Sequence, residues 1–397
     1  MRYQSWMNTA KKIIAAYPGG EPLALYLKKY FSANKQHGSK DRKNISSLCY
    51  GYYRMGHAAA GDMETKILSG VFLSEQLHNE LLAYFKPEWS EHITKSVAEK
   101  IALTRFPVKK IVSFKDELSA AVSHQQYCES FLKQPKLFLR LRPHKKNAVL
   151  QKLQKEKIPL ALIDNECIAL SNATRLDDII DADRDAVIQD YNSQQVFNFL
   201  KTFSLNKKPV TVWDCCAASG GKSMLLYDVL KRNIALTVSD IRLNILFNLH
   251  QRFNKAGIKD YNYFVADVSR KDFEFPELGY KGLYTKDPEK KFDIIVCDVP
   301  CTGSGTWSRT PENLSFFKKS DISLYAAKQQ QIVSNAADYL HDGGLLFYIT
   351  CSVFKKENED MALYIKEKFH LQLLHMELLK GYDKKADSMF VAVFTKA

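Results

Sequence analysis

The chain has 397 residues, 46% of them apolar, which is typical of two or three domains that each bury a core. No apolar run approaches the roughly 18 residues of a membrane span, and no apolar signal segment stands at the start. We therefore expect a soluble, cytoplasmic protein. The eight cysteines are irregularly spaced and form no Cys-x-x-Cys pair, which argues against a structural zinc site or a disulfide framework, and we expect no metal.

The net charge of +13 is unevenly distributed along the chain. Residues 1–160 hold 27 Lys/Arg against 13 Asp/Glu, whereas residues 161–397 hold 30 against 31. A basic first part indicates a polyanionic partner, with nucleic acid ahead of a membrane surface. A solvated lysine-rich surface would give the same count, so charge alone leaves both interpretations open.

Residues 1–132 are predicted to form a helical domain, because apolar residues recur at intervals of three and four. Leu23, Leu27 and Phe31 show this spacing on one predicted helix, and Ile45, Leu48 and Cys49 show it on another. The dipeptide 111–112, Ile-Val, is predicted to be a short strand that interrupts the later helices.

Residues 133–185 are predicted to form a small α+β domain. Residues 136–142 alternate between basic and apolar side chains, as a half-buried strand does. A lysine-rich helix is predicted at 146–156, followed by strands at 160–163 and 167–170. The basic strand is expected either to follow a phosphate backbone or to be an edge strand protected by its charges.

Residues 186–397 are predicted to be an α/β domain with a doubly wound parallel sheet, because buried strands alternate with helices. Such sheets bind ligands at the carboxyl ends of their strands. The polar stretch 270–291 is the best candidate for a mobile loop. The predicted strands are 211–214, 235–239, 263–266, 292–298 and 345–351, and the predicted helices are 221–232, 242–256 and 321–341.

A glycine turn between the first of these strands and the following helix is the candidate cofactor site. Small residues allow a ligand close to the backbone, and the helix N-terminus offers free N–H groups. Asp240 ends the second strand, where an acid can hold ribose hydroxyls, and Asp267 ends the third, where it can meet an adenine edge. The turn consists of Cys216, Ala217, Ala218, Ser219, Gly220, Gly221 and Lys222.

Taken alone, this turn is compatible with any nucleoside-binding fold. It lacks the dinucleotide fingerprint, and it is not a phosphate loop because Cys215 stands where that loop needs its first glycine. A nucleoside triphosphatase and a purely structural glycine turn are the less favoured alternatives.

Two cysteines follow the ends of apolar strands, Cys301 after the fourth and Cys351 at the end of the fifth. If these strands are neighbours, both thiols face the cleft beside the cofactor. A single cysteine on a strand is more often a buried small apolar residue, but two at matching strand ends favour covalent chemistry. Asp298 lies at the end of the fourth strand, and Lys222 is a candidate source of the positive field that stabilises a thiolate.

The motifs of residues 186–397 resemble those of the Sun/RsmB-type RNA 5-methylcytosine methyltransferases. The resemblance covers about half the chain, with its motifs in the same order. This chain departs from the family's motifs at four positions. Ser219 stands where the family has proline, Ser223 where it has threonine, and Thr302 where it has serine. Ser308 replaces the first of two arginines, which puts some substrate contacts in doubt. The matching segments are 189–193, 214–223, 298–305, 308–312, 349–352 and 357–359.

The resemblance implies the reaction and the role of each residue. Cys351 would add as a thiolate to carbon 6 of a cytosine, so that carbon 5 attacks the methyl group of S-adenosylmethionine. Cys301 would assist proton removal and product release, and Asp298 would assist at the ring nitrogen. The segment from Cys216 to Lys222, together with Asp240, Asp267 and Asp298, would bind the cofactor.

The first part of the chain resembles a NusB-like helical RNA-binding domain, through residues 38–42 and the Tyr-Gly-x-x-Arg spacing of residues 50–54. Residues 133–185 lie where the family has a small RRM-like extension. We expect ribosomal RNA as the first candidate substrate, transfer RNA as the second, and a monomer. The rivals are a DNA cytosine-5 methyltransferase with Cys301 as nucleophile, against which Thr350-Cys351 argues, and a non-catalytic RNA-binding ribosome assembly factor.

Overall fold

The computed structural model describes residues 2–58, 61–203, 209–275 and 291–396. Most of the predicted mobile loop at 270–291 lies outside these residues. By their internal contacts the residues form two compact units. The first consists of Met1–Pro135 and Thr306–Lys319, and the second of Lys136–Gly305 and Ser320–Ala397.

The first unit is built from helices, as the apolar spacing predicts. The buried faces of α1, α2, α3 and α4 form one apolar core around residues such as Trp6, Leu27 and Leu48. The helix α3 begins after Gly38, whose N–H donates to the Asp41 carboxylate (2.9 Å). The helices of this unit are α1 (Arg2–Ala16), α2 (Leu23–Ala33), α3 (Ser39–Arg54), α4 (Met63–Ser74), α5 (Glu80–Phe85), α6 (Pro87–Ser90), α7 (Val97–Thr104), α8 (His124–Ser130) and, from later in the chain, α12 (Glu312–Phe316).

The prediction of a strand at Ile111 and Val112 is wrong. Both residues are fully buried after the 3-10 turn Val108–Lys110, and neither belongs to a strand in the described part of the chain. The Ile111 carbonyl accepts a hydrogen bond from the His57 N–H (3.0 Å). The β-branched pair is therefore buried outside any strand, which shows that tertiary packing overrides its preference for strand.

The second unit contains a small antiparallel sheet with one helix. Its strand order is β2-β3-β1-β4, and Leu139 and Leu141 of β1 pack with Val149 and Leu153 of α9. The strand β4 lies beyond the predicted end of this segment at residue 185. The elements are β1 (Leu137–Leu141), α9 (Lys146–Lys155), β2 (Leu160–Leu162), β3 (Cys167–Leu170) and β4 (Ala186–Ile188).

The predicted basic strand at 136–142 is not an edge strand, and its two arginines are not free to follow a phosphate backbone. The strand β1 pairs on both sides, with β3 and β4, so it is not an edge strand. Arg140 and Arg142 are buried, and both form ion pairs with Asp228, at 2.6 and 3.4 Å. Their charges therefore serve internal pairing and are not available to a phosphate backbone.

The same unit contains the predicted Rossmann-like, doubly wound sheet, which is confirmed. Its seven strands have the order β10-β11-β9-β8-β5-β6-β7. Neighbouring strands from β9 to β7 are parallel, whereas β11 pairs antiparallel with β9 and β10 pairs antiparallel with β11. The elements are β5 (Val210–Asp214), α10 (Gly221–Val229), β6 (Ile234–Asp240), α11 (Leu243–Ala256), β7 (Tyr261–Val265), β8 (Phe292–Asp298), α13 (Lys319–Ala337), β9 (Leu340–Thr350), α14 (Glu359–Lys368), β10 (Gln372–Leu379) and β11 (Met389–Thr395).

Within the described ranges, none of the helices is both long and apolar enough to cross a membrane.

Candidate active site

The glycine turn joins the carboxyl end of β5 to the first turn of α10. Gly220 has a φ of +81°, and a Cβ added there would lie 2.5 Å from the Phe253 ring. Both facts require glycine at this position. The Ala217 N–H donates to the Ser239 carbonyl (2.9 Å), which fixes the turn against the end of β6. The turn is therefore fixed, and the first N–H groups of a helix such as α10 are of the kind that can bind an anionic group.

Ser219, which stands where the related motif has proline, has acquired its own hydrogen bond. Its hydroxyl and its carbonyl accept from Arg252 Nη1, at 2.8 and 3.0 Å. Arg252 also forms an ion pair with Asp183 (2.8 Å). The turn thus loses the rigidity of proline but gains an anchor on α11.

Asp214, the last residue of β5, is a buried acid beneath this turn. Its carboxylate accepts a hydrogen bond from the Ser223 hydroxyl (2.5 Å). Burial raises the pKa of the Asp214 carboxyl to about 7, although the Ser223 hydrogen bond opposes the shift. We did not predict a site role for Asp214; its position two residues before Cys216 was the available signal.

Asp240 and Asp267 lie at the ends of β6 and β7, as predicted. Asp240 accepts hydrogen bonds from the Ala218 N–H (3.0 Å) and from Arg242 Nε (2.9 Å). Asp267 accepts from the Ser269 N–H (3.0 Å). Burial alone would raise both pKa values, but these hydrogen bonds hold them below the ordinary aspartate value. Both side chains are therefore anionic acceptors at neutral pH, as ribose or adenine donors require.

Lys222 and Asp298 form an ion pair across the strand ends. Lys222 Nζ lies 2.7 Å from Asp298 Oδ2. The pKa of Lys222 is raised above its ordinary value. Burial alone would lower it, but attraction to the Asp298 carboxylate, and then to Cys351, outweighs burial. Lys222 therefore remains cationic and is electrostatically linked to Cys351.

The structure brings Cys301 and Cys351 together. The strands β8 and β9 are parallel neighbours, with Asp298 opposite Ile349. The two Sγ atoms are 3.3 Å apart, and both side chains are partly exposed. The hydrogen bond with Cys351, reinforced by burial, raises the pKa of the Cys301 thiol well above its ordinary value. Cys301 is therefore the partner that keeps its proton.

Glu357 connects the loops that carry the two cysteines, a role that the sequence did not reveal. The side chain is fully buried, and burial raises its pKa despite four hydrogen bonds to it. It accepts from the N–H (2.9 Å) and hydroxyl (2.6 Å) of Thr302, from the Ser352 hydroxyl (2.5 Å) and from Gln329 Nε2 (3.1 Å). The Glu-Asn-Glu motif was the available signal.

Gly305 closes the loop after Cys301 onto the end of β9. Its N–H donates to the Cys351 carbonyl (2.8 Å), and its own carbonyl accepts from the Ser388 N–H (2.9 Å). A Cβ at this position would lie 2.2 Å from the Ser388 carbonyl oxygen. Only glycine permits this close approach, which fixes the loop beside Cys351.

Two further motifs anchor the chain. The Gln189 side chain accepts from Arg140 Nε (2.8 Å), so the segment 189–193 fastens the small sheet. The segment 308–312 belongs to the first unit, where buried Glu312 accepts from the Leu23 N–H (3.0 Å) and the Ser308 carbonyl accepts from Arg54 (3.3 Å). Both segments therefore form hydrogen bonds within the protein that hold neighbouring elements in place.

The part of the chain that carries most of these residues is similar to known proteins. The family model for 16S rRNA methyltransferase RsmB/F matches residues 202–393. Ribosomal RNA small subunit methyltransferase F of Psychromonas ingrahamii is 28% identical over 176 residues, 44% of this chain and 34% of that protein. Ribosomal RNA small subunit methyltransferase B of Shewanella oneidensis is 32% identical over 149 residues, 38% of this chain and 32% of that protein. This chain thus spans about a third of the length of each of these relatives.

Solved structures share the fold. The structure of NSun6 from Pyrococcus horikoshii with SFG covers 72% of this chain and 96% of its own, with a TM-score of 0.58 and 14% identity. A methyltransferase homolog protein from Pyrococcus horikoshii covers 71% of this chain and 92% of its own, with a TM-score of 0.56 and 17% identity. The fold predicted for the second unit is therefore confirmed by comparison as well as by topology.

Proposed function

We propose that this chain is an S-adenosylmethionine-dependent methyltransferase that methylates carbon 5 of a cytosine in RNA. Its residues 202–393 match the family model for 16S rRNA methyltransferase RsmB/F. Ribosomal RNA is the first candidate substrate, because the matching family and both curated relatives are named for it. Transfer RNA remains the alternative. The expected cytoplasmic location, the monomeric state and the absence of a metal stay predictions.

The observation that carries this proposal is the pair Cys301 and Cys351, 3.3 Å apart beside Lys222. A cytosine ring is activated for attack at carbon 5 when a thiolate adds to carbon 6. Because Cys301 keeps its proton, it donates an S–H hydrogen bond to Cys351, and Lys222 adds a positive charge. Both effects support Cys351 as the thiolate and nucleophile.

The same arrangement accounts for the second half of the reaction. S-adenosylmethionine, when bound, supplies the electrophilic methyl group. Once Cys351 is bonded to carbon 6, its negative charge is gone, and the main cause of the raised pKa of Cys301 disappears with it. The Cys301 thiol can then release its own proton to solvent, and the resulting thiolate accepts the carbon 5 proton. The double bond between carbons 5 and 6 re-forms as the bond between Cys351 and carbon 6 breaks, and the Cys351 thiolate returns.

The cofactor candidates fit S-adenosylmethionine. The start of α10 offers N–H groups to a carboxylate, and Asp240 and Asp267 offer anionic acceptors at the ends of the next two strands. Asp240 is bonded to Arg242, whose side chain is 55% exposed and therefore free to yield to ribose hydroxyls. In this proposal Asp298, held by its ion pair with Lys222, assists at the cytosine ring nitrogen.

The test is to incubate the protein with labelled S-adenosylmethionine and total RNA from cells that lack it, and then to identify the labelled nucleoside. Label in 5-methylcytidine of ribosomal RNA is the expected result, and label in transfer RNA selects the alternative substrate. Label in DNA alone would replace the proposal with a DNA methyltransferase. If folded protein and unmodified RNA give no label, the remaining interpretation is a non-catalytic RNA-binding ribosome assembly factor.

A further inference from the structure

An open groove of about 310 Å³ lies between α2 and α3 of the helical unit. Helical spacing creates it. Lys28 and Phe31 are three residues apart on α2, and Arg42, Ser46 and Tyr50 follow each other at intervals of four on α3, so each set lies on one face. Lys43 completes the basic lining.

The groove concentrates positive charge that the protein itself does not neutralise. Within the described ranges, the side chains of Lys28 and Lys43 have no carboxylate within ion-pair distance. Arg42 Nε donates to the His37 carbonyl (2.8 Å), and its guanidinium lies 5.9 Å from the centre of the Phe31 ring. Neither partner carries a charge that would cancel that of the arginine.

Nearby lysines outside the groove show the contrast. Lys29, the next residue after Lys28, pairs with Glu21 (2.6 Å), and Lys40 pairs with Glu80 (3.3 Å). The acids of this region therefore compensate cations on other faces. No Asp or Glu side chain lines the groove in the part of the chain that the structure describes.

Two aromatic side chains, Phe31 and Tyr50, line the groove together with these cations. Cations that contact a phosphate backbone, interleaved with aromatic side chains, are the combination that binds single-stranded nucleic acid.

We propose that the α2–α3 groove binds a single-stranded stretch of the substrate RNA, with its phosphates on Lys28, Arg42 and Lys43. This inference rests on the proposed function, which makes RNA the polyanion that the chain must hold. An acidic protein segment is the competing occupant.

The test compares two charge-reversed variants of the full chain. The groove variant carries Lys28→Glu, Arg42→Glu and Lys43→Glu. The control carries Lys12→Glu, Lys95→Glu and Lys110→Glu, which change the net charge equally at exposed positions of the same unit. Binding of a fluorescent oligouridine is measured by anisotropy over a range of salt concentrations. A second groove variant, Lys28→Gln with Lys43→Gln, removes two lysines that form no ion pair with any described residue. It covers the case that the triple variant fails to fold.

We expect the groove variant to bind oligouridine at least tenfold more weakly than the control. We also expect its slope of log affinity against log salt to be shallower by about 2, because three phosphate contacts are lost at about 0.7 each. Equal loss in both variants would overturn the inference, as would tighter wild-type binding of a labelled oligoglutamate than of oligouridine. Formation of 5-methylcytidine by the wild type is scored separately, so the groove can fail while the proposed function stands.

Discussion

Cys301 Sγ and Cys351 Sγ lie 3.3 Å apart although 50 residues separate them in the chain. The parallel pairing of β8 with β9 creates this contact, and the close backbone contacts of Gly305 with Cys351 and Ser388 fix the loop that carries Cys301. Because the raised pKa of Cys301 makes it the proton holder, the two thiols are not equivalent. Their substitution should therefore separate two steps of one reaction.

We expect Cys351→Ala to abolish the covalent protein–RNA adduct and to reduce methyl transfer by about 10⁴-fold or more, as the loss of a nucleophile does in other covalent enzymes. We expect Cys301→Ala to slow turnover by about 10²- to 10⁴-fold, the range for a lost general base, while the adduct accumulates. Denaturing gel electrophoresis with labelled RNA measures both. An adduct that persists in Cys351→Ala and vanishes in Cys301→Ala would reverse the assignment.

The ion pair between Lys222 and Asp298 predicts a stability coupling. Both side chains are largely buried, at 14% and 24% exposure, so Lys222→Met leaves a carboxylate without its partner. We expect a loss of about 2 kcal/mol in the free energy of unfolding, less than the 3–5 kcal/mol of a fully buried pair. The double variant with Asp298→Asn should recover part of that loss.

Urea unfolding of the two single variants and the double variant measures this coupling. Lys259→Met, at an exposed lysine, serves as the control and should change stability little. Additive effects of the two substitutions would show that the pair contributes nothing beyond its separate residues.

The buried carboxylate of Glu357 predicts a positioning effect on catalysis. Glu357→Gln keeps the shape but removes one of the two acceptor oxygens that join the Thr302 and Ser352 loops. We expect kcat to fall by about 10- to 100-fold, because small displacements of reacting groups cost rates of that size. The affinity of the variant for S-adenosylmethionine, measured by calorimetry, should equal that of the wild type.

Asp360→Asn is the matched control, since this nearby acid is exposed and pairs only with Lys355 among the described residues. Equal kcat values for the two variants, or a parallel loss of cofactor affinity in Glu357→Gln, would argue against a positioning role.

The predicted site residues are accessible from sequence because each lies at or soon after the carboxyl end of a strand, where the topology of the sheet gathers them. Glu357 was not, because its partners Thr302, Gln329 and Ser352 come together only in the folded chain. The burial of Arg140 and Arg142 likewise depends on Asp228, which is more than 80 residues away. Local alternation showed the strand correctly but could not show which charges would be neutralised.

The last strands were missed for a different reason. Almost all residues of β10 are exposed or only half-buried, and its sequence lacks the continuous apolar run that marks the central strands. The antiparallel β11 is apolar in every residue except its last, Thr395, but it follows no helix, so the alternation of strands and helices does not predict it. The domain boundaries at residues 132 and 185, the NusB-like resemblance and the catalytic and cofactor roles of the site residues stay predictions.

The buried carboxyl of Asp214 predicts how stability depends on pH. Its pKa is about 7 in the folded chain, against an ordinary value of 3.8. The folded state therefore binds this proton more tightly than the unfolded state does. The resulting contribution to stability is complete below pH 3.8, decreases as the pH rises towards 7, and is constant above that.

Asp214→Asn keeps an acceptor for the Ser223 hydroxyl but removes the titration. The free energy of unfolding of the wild type, minus that of the variant, should fall by up to about 1.4 kcal/mol per pH unit between pH 4 and 7. Urea unfolding at pH 5, 6, 7 and 8 measures this difference, and other titrating groups cancel because both proteins contain them. A difference that rises with pH would mean that Asp214 is ionised and stabilised as a carboxylate, through Ser223 or Lys222. Burial would then not be the main influence on the pKa of Asp214, and the carboxyl beneath the glycine turn would be charged.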